Sequence, residues 1–279
     1  MKEQGKHTET SITFEQLGEV VKLLLTIYGQ DFTEYSKASL KRRIDRVLIK
    51  KHFSSYELKQ AIINDPDFVD ELVMEITVNV TEMFRDPAFY LAVRKKTFPY
   101  LSSFPRIKIW NAGCSTGEEV YSFAIMLEEA GLYNNSFLYG TDINSRVLDK
   151  ARKGIYSLGQ MKEYSENYQK TGGHNSLSDF YSAAYDAAVI HQELRKNTLF
   201  AIHNLATDNV FNEFEMVVCR NVLIYFENSL QERVLNLLYE SLCPLGFLCL
   251  GSKETIRFAG IRNKFKVIDL EQNIYQKIG

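Results

Sequence analysis

Over the first eighty positions the apolar residues fall in a helical rhythm. Phe14, Leu17, Val20, Val21, Leu24 and Leu25 share one face of a helix that Gly29 closes. Thr33 is placed to cap the next helix and Ser54 or Ser55 the third, while a fourth follows Asp65-Pro66 and carries Val69, Leu72, Val73 and Ile76. The pattern predicts a small all-α domain over residues 1–80. A bridging stretch through Asp86-Pro87 to Pro105 follows, and from Ile107 the rhythm changes to alternating strands and helices. Strands are expected at 107–111, 137–141, 199–203, 215–219 and 246–251, with helices after the first, second and fourth, which describes an α/β domain with a mostly parallel sheet. The tail from Phe265 to Ile278 reads as a hairpin that adds antiparallel strands at one edge. The polar stretch 155–197 breaks the alternation and ends in a strand-like Ala188-Val-Ile, so it reads as a subdomain inserted in a domain spanning 81–279.

The turn between the first strand and its helix, Ala112-Gly-Cys-Ser-Thr-Gly-Glu-Glu119, carries the first candidate chemistry. Gly113 and Gly117 allow a tight turn and close approach of a ligand to the backbone at a helix start. The next strand ends on Asp142, about 25 residues on, where a carboxylate can accept hydrogen bonds from ribose hydroxyls. Glu118 and Glu119 would repel a pyrophosphate but suit a cationic cofactor, and S-adenosylmethionine, with its ribose, amino group and sulfonium, fits best. Taken alone, two glycines in such a turn read equally as a packing feature.

Composition narrows the field. The chain has 279 residues, 45% of them hydrophobic, so it can bury a substantial core. Its 33 Lys and Arg against 35 Asp and Glu leave a net charge of -2, and no global field draws it to nucleic acid or an anionic membrane. The apolar runs are too short to span a bilayer and the start lacks a signal-peptide pattern, so a cytoplasmic protein without membrane insertion is expected. Cys114, Cys219, Cys243 and Cys249 form no Cys-x-x-Cys pair; buried reduced thiols are expected, and no metal site.

Two further segments gather polar groups next to apolar runs. Asn79-Val-Thr-Glu-Met-Phe-Arg85 joins the two domains, and it reads either as an N-cap (Thr81) with a solvated helical Arg85, or as an amide, a hydroxyl and a guanidinium set over a cofactor site. Met216-Val-Val-Cys-Arg-Asn-Val-Leu-Ile-Tyr-Phe226 is a buried strand whose carboxyl end, where open α/β sheets bind ligands, bears Arg220, Asn221 and Tyr225. The competing reading makes Arg220 a structural ion pair and Tyr225 a packed ring. His203-Asn204-Leu205 brings another amide to the same edge.

In this order, Asn-Val-Thr-x-x-Phe-Arg-Asp, Ala-Gly-Cys-Ser-Thr-Gly-Glu-Glu-x-Tyr-Ser, Thr-Asp-Ile-Asn, Asn-Leu and Cys-Arg-Asn-Val-Leu-Ile-Tyr-Phe make the chain resemble the CheR-type chemotaxis-receptor methyltransferases. The resemblance runs from the basic helix near Lys41 to Tyr275. It implies a small all-α domain followed by a Rossmann-like S-adenosylmethionine-dependent methyltransferase domain with an inserted β-subdomain, acting on glutamate side chains in the cytoplasmic helices of a chemoreceptor or related signalling protein. Carried over residue by residue, it implies that Asn79, Thr81, Arg85, Gly113, Glu119, Asp142, Asn204, Leu205, Arg220 and Asn221 line the site for S-adenosylmethionine and its product S-adenosylhomocysteine. It sets Arg85 and Tyr225 nearest the transferred methyl. The helix Lys37–Lys51 would pack through Leu40, Ile44, Val47 and Leu48 and present Arg42, Arg43, Arg46 and Lys50 to an acidic receptor helix; a merely solvated charged face is the alternative. Val120 stands where the family usually has proline, and Gly251-Ser-Lys-Glu254 replaces its usual Gly-His-Ser-Glu. The leading expectation is a monomeric protein-glutamate O-methyltransferase. Its rivals are a non-catalytic module that binds S-adenosylmethionine or S-adenosylhomocysteine in a signalling complex, and a methyltransferase for small carboxylic acids, which would need no docking face.

Overall fold

The computed structural model describes residues 11–77, 81–257 and 259–279. The chain divides into two compact units: Met1–Asn79 with Tyr225–Gln231, and Val80–Ile224 with Glu232–Gly279. The short return of the chain at 225–231 into the first unit is not visible in any local pattern.

In the first unit, α1 (Phe14–Tyr28) starts with a capping box between Thr13 and Gln16 and stops at Gly29, whose φ of 68° is left-handed. Helices α2 (Lys37–Lys51), α3 (Ser55–Asn64) and α4 (Pro66–Thr77) follow. Ser54 caps α3 with a second capping box. Thr33 does not cap α2: its hydroxyl and amide both bond Asp31, and Ser36 takes the N-cap position. Leu17, Val20, Leu24, Leu40, Ile44, Val47, Leu48, Leu58, Ile62 and Leu72 close the core between the helices. The returning segment joins this unit through a bridge between Tyr35 and Phe226, whose rings meet edge to face at 4.9 Å.

Asp45 ties α2 to the start of α1, accepting from the Ser11 hydroxyl (3.0 Å), the Ile12 amide (2.9 Å) and Lys41 Nζ (2.9 Å). Burial raises its pKa, but these donors outweigh burial and hold the carboxyl below its ordinary value. A depressed carboxyl contributes stability that is present above the unfolded pKa and lost as pH falls through the folded one. Asp45→Asn should therefore lower the melting temperature at pH 7 and have progressively less effect as pH falls through the depressed folded pKa, where the parent's carboxyl is protonated too. Equal melting-temperature losses across that pH range, measured by circular dichroism, would remove this account.

The second unit opens with α5 (Pro87–Lys96) and the short α6 (Phe98–Leu101). Then come β1 (Ile107–Ala112), α7 (Glu118–Glu129), β2 (Ser136–Asp142) and α8 (Ser145–Lys153). The insert holds β3 (Ile155–Ser157), α9 (Met161–Lys170), β4 (Tyr181–Ala184), β5 (Ala187–Ile190) and α10 (Gln192–Arg195). Its strands form a separate antiparallel sheet in the order β3-β5-β4, as the expected β-subdomain requires. The chain returns through β6 (Thr198–Ile202), β7 (Phe214–Cys219), α11 (Asn228–Glu240), β8 (Leu242–Leu250), β9 (Phe265–Asp269) and β10 (Ile274–Lys277).

The main sheet runs β6-β2-β1-β7-β8-β10-β9. Neighbours from β6 to β8 are parallel, and β10 is antiparallel to both β8 and β9. The tail is a hairpin as expected, but it folds back so that β10 lies inside β9; only β10 opposes the sheet direction. From β1 the order proceeds outward to β2 and β6 on one side and to β7 on the other. A crevice therefore opens at the carboxyl ends of β1 and β7, the switch point at which such sheets bind ligands. All four cysteines are buried and unpaired. No described helix is long and apolar enough to cross a membrane.

Candidate active site

The turn after β1 is hooked onto the end of β2. The amides of Gly113 and Cys114 both donate to the Thr141 carbonyl at 2.8 Å, and the Ser115 amide donates to Asp142 Oδ2 at 3.0 Å. Gly113 has a φ of 73°, and a Cβ there would lie 2.5 Å from Val222 Cγ2 on the turn after β7. Gly117, at φ 90°, forms the N-cap of α7, and a Cβ on it would meet Ala151 Cβ at 2.8 Å. Both glycines are thus required by backbone angle and by space.

Asp142 is 9% exposed. Its other oxygen accepts from the Asn144 amide at 3.0 Å. Burial raises its pKa, and the amides of Asn144, Ser115 and Ile143 pull the other way. A carboxylate offers about four acceptor positions, so the bonds from Ser115 and Asn144 leave capacity for a hydroxyl ligand. Beside it, Ser115 Oγ and Asn144 Nδ2 are buried without a hydrogen-bond partner among the described residues. Unpaired polar atoms flanking a carboxylate at a sheet's switch point are the groups that a ribose would satisfy.

Arg220, at the end of β7, is 7% exposed and makes the structural ion pair that the sequence left as its alternative. Nη1 reaches Glu119 at 2.7 Å, Nη2 reaches Asp86 at 2.7 Å and the Arg85 carbonyl at 3.2 Å, and the guanidinium lies 4.1 Å over the Phe89 ring. Burial opposes the charge; Glu119, Tyr90 and Asp86 outweigh it and hold the pKa above its ordinary value. Glu119 also accepts from the Tyr90 hydroxyl at 3.3 Å. The structure thus places both residues in a buried clamp, with their charges directed at each other.

That clamp fixes the segment bearing Arg85. Phe84 and Asp86 on either side of it have φ values of 56° and 58°, unusual for residues with side chains. The Phe84 amide is held by Ser122 Oγ at 3.0 Å, and its ring packs on Tyr90 and Tyr168. Arg85 is half-buried on this bend, and Thr81 is half-buried a turn earlier. Neither lies in a helix, which removes the cap-and-solvated-helix reading. Asn79 lies outside the described residues.

Asn204 follows β6, whose successor His203 bonds the Asp142 carbonyl with its amide. The Asn204 side-chain oxygen accepts from the Ala206 amide at 2.9 Å, so its Nδ2 is the group left for a ligand. Leu205 is buried. Asn221, at φ 60°, is held by a residue to which the sequence assigned no role: Glu254 accepts from the amides of Gly251, Asn221, Val222 and Leu223 at 2.7–3.0 Å. Its carboxylate, 4% exposed, pins the turn after β7 to that after β8, and so fixes Val222 against Gly113. Burial raises its pKa against the pull of those four donors. The signal in the sequence was the place of Glu254 at the acid of the family's Gly-His-Ser-Glu, three residues after Gly251.

In the first unit, Arg42 and Arg46 are exposed on α2, as a docking face requires. Arg43 is not: it is 8% exposed and turned inward. Its position one residue from Arg42 is about 100° around the helix, which carries it from the solvent face toward the Leu40–Ile44 side. Lys50 is exposed but paired with Glu75 at 2.6 Å. Tyr225, in the turn Leu223–Tyr225, is half-buried. No group of His, Cys, Asp or Glu able to hold a metal occurs among the described residues.

Residues 79–274 match the family described as CheR methyltransferase, SAM binding domain, and residues 15–77 match CheR methyltransferase, all-alpha domain. A methyltransferase of Pseudomonas putida called Cher3 is 46% identical over 92% of this chain and 95% of its own length. Proteins named chemotaxis protein methyltransferase from Listeria monocytogenes and Borreliella burgdorferi are 32% and 30% identical, covering 82% and 88% of this chain and 85% and 90% of theirs.

Proposed function

The chain belongs to the CheR methyltransferase family and is an S-adenosylmethionine-dependent methyltransferase, and from that premise we propose that it methylates glutamate side-chain carboxylates on the cytoplasmic helices of a chemoreceptor. The observation that carries the reading is the rigid bend at Arg85. The backbone of Arg85 is held there by the ion pairs of Arg220 and by two left-handed neighbours, in a segment that would bring a guanidinium to an anionic acceptor. The names of the Listeria and Borreliella relatives, chemotaxis protein methyltransferase, support a chemotaxis protein as the substrate.

Asp142, with Ser115 and Asn144 beside it, would hold the ribose, and Gly113 would let the ligand lie against the backbone. Thr81, Asn204 and Asn221 would take the remaining polar groups, with Asn79 beside Thr81 in sequence. S-adenosylmethionine, when bound, supplies an electrophilic methyl on a sulfonium. A glutamate side chain in water ionises around pH 4.3 and is already charged at neutral pH, so no general base is needed. Alignment is then the main task of the protein, and well-oriented reactions gain up to about 7–11 kcal/mol from it. Arg85 would orient the acceptor carboxylate, with a grip that must not be strongest in the ground state. Tyr225 would border the methyl.

The test is incubation with tritiated S-adenosylmethionine and membranes of the native host. Base-labile label on membrane protein supports the reading; label that resists alkali, or none, overturns it.

The docking face now rests on Arg42 and Arg46. Reversing both to glutamate should raise the apparent KM for membrane substrate about tenfold, leave S-adenosylhomocysteine affinity unchanged and flatten the salt dependence, because exposed charges are screened over about 8–10 Å. Identical rates of variant and parent across a salt series would leave these arginines as a solvated face.

A further inference from the structure

We propose that Arg43 is a positioning residue that aims the Tyr225 ring, a contact made entirely within the helical unit. The proposal rests on the reading of Tyr225 given above.

The guanidinium of Arg43 has unusual company. Its Nε donates to Ser39 Oγ and its Nη1 to the Glu75 carbonyl, both at 3.4 Å, the long limit of a hydrogen bond. No carboxylate pairs with it among the described residues. A buried cation without a counter-ion is costly, and an apolar side chain of the same volume would serve packing better. Its charge does have one close partner: the guanidinium carbon lies 4.9 Å from the centre of the Tyr225 ring. A cation over an aromatic face is attracted by the ring's negative quadrupole, the more so away from water. Burial lowers the pKa of Arg43 while Tyr225 acts in the opposite sense, and an arginine remains charged throughout.

The tyrosine is gripped by the same helix at a second point. Its carbonyl accepts from the amide of Ser36, the N-cap of α2, at 2.8 Å. The Glu227 amide bonds the Glu34 carbonyl at 2.9 Å, and the Phe226 ring meets Tyr35. The backbone of 225–227 is thus fixed at the start of α2, which leaves the rotation of the Tyr225 side chain as its free coordinate. Arg43, about two turns along α2 from Ser36, lays its guanidinium over that ring and so is placed to restrict the rotation.

A positioning residue and a docking residue lose activity in different ways, and a double-mutant cycle separates them. Arg43→Met, Tyr225→Phe and the double variant would be assayed with tritiated S-adenosylmethionine and host membranes, and S-adenosylhomocysteine titrations would confirm that the cofactor domain is intact. Arg43→Met should lower turnover at saturating membranes about tenfold, leave the apparent KM for membranes within about twofold, and be partly rescued by Arg43→Lys. In the Tyr225→Phe background no hydroxyl remains to be aimed, so Arg43→Met should then cost less than about threefold. Losses that multiply, or a loss expressed as a salt-sensitive KM, would overturn the positioning role. Full turnover by Tyr225→Phe alone would instead sink the assignment of the tyrosine, a separate and distinguishable failure.

Discussion

Gly113→Ala should abolish measurable binding of S-adenosylhomocysteine. The residue combines a φ of 73° with a position at which a Cβ would sit 2.5 Å from Val222 Cγ2. A left-handed angle costs a side-chain residue about 1–2 kcal/mol, which by itself would only weaken the turn. The overlap is the larger effect, because Val222 cannot retreat: its amide is held by Glu254 at 2.8 Å, as are the residues on either side. The strain must therefore move the Gly113–Gly117 turn, and with it the Ser115 amide that bonds Asp142. Val222→Ala in the same chain removes both Cγ atoms and leaves a contact of 3.5 Å to its Cβ, an ordinary separation. The double variant should regain most of the affinity, short of the parent by the angular cost. Calorimetry that finds Gly113→Ala binding as the parent does would remove this turn from the cofactor site.

Two arginines that the sequence assigned to one site should behave as opposites. Arg85→Ala should lower turnover about a hundredfold, a loss of about 2.7 kcal/mol in the transition state, with a smaller fall in melting temperature than Arg220→Met gives. Its backbone is held independently, by the Phe84 amide bond to Ser122 and by the bond from Arg220 to its carbonyl. Arg220→Met should instead destabilise the fold by up to about 3 kcal/mol, because the largely buried Glu119 would lose its cation, while Asp86, 45% exposed, keeps its water. Turnover would fall only as the bend carrying Arg85 loosens. The check is a pair of thermal melts alongside initial rates. A stable Arg220→Met, or an Arg85→Ala variant that turns over as the parent does, would reverse the two roles.

The sequence alone determined the helical unit, the strands of the parallel sheet, the tail hairpin and the glycine turn with its acid, because each is encoded locally. Periodicity, Ser54 with Glu57, and glycines at positive φ act within a few residues of themselves. The tertiary structure decided what depends on partners distant in sequence. The ion pair of Glu119 with Arg220 joins residues 101 apart, and Glu254 binds amides about 30 residues away. Arg43 reads like Arg42 and Arg46 in a run of basic residues, yet it is buried over a tyrosine far along the chain. The same distance hid the return of 225–231 into the helical unit and the seat of β10 inside β9. A charged side chain carries no mark of whether it will meet water, a counter-ion or a ring. The fold decides that by what it brings within a few ångströms, and so determines which of the polar residues legible in the sequence remain available to a ligand.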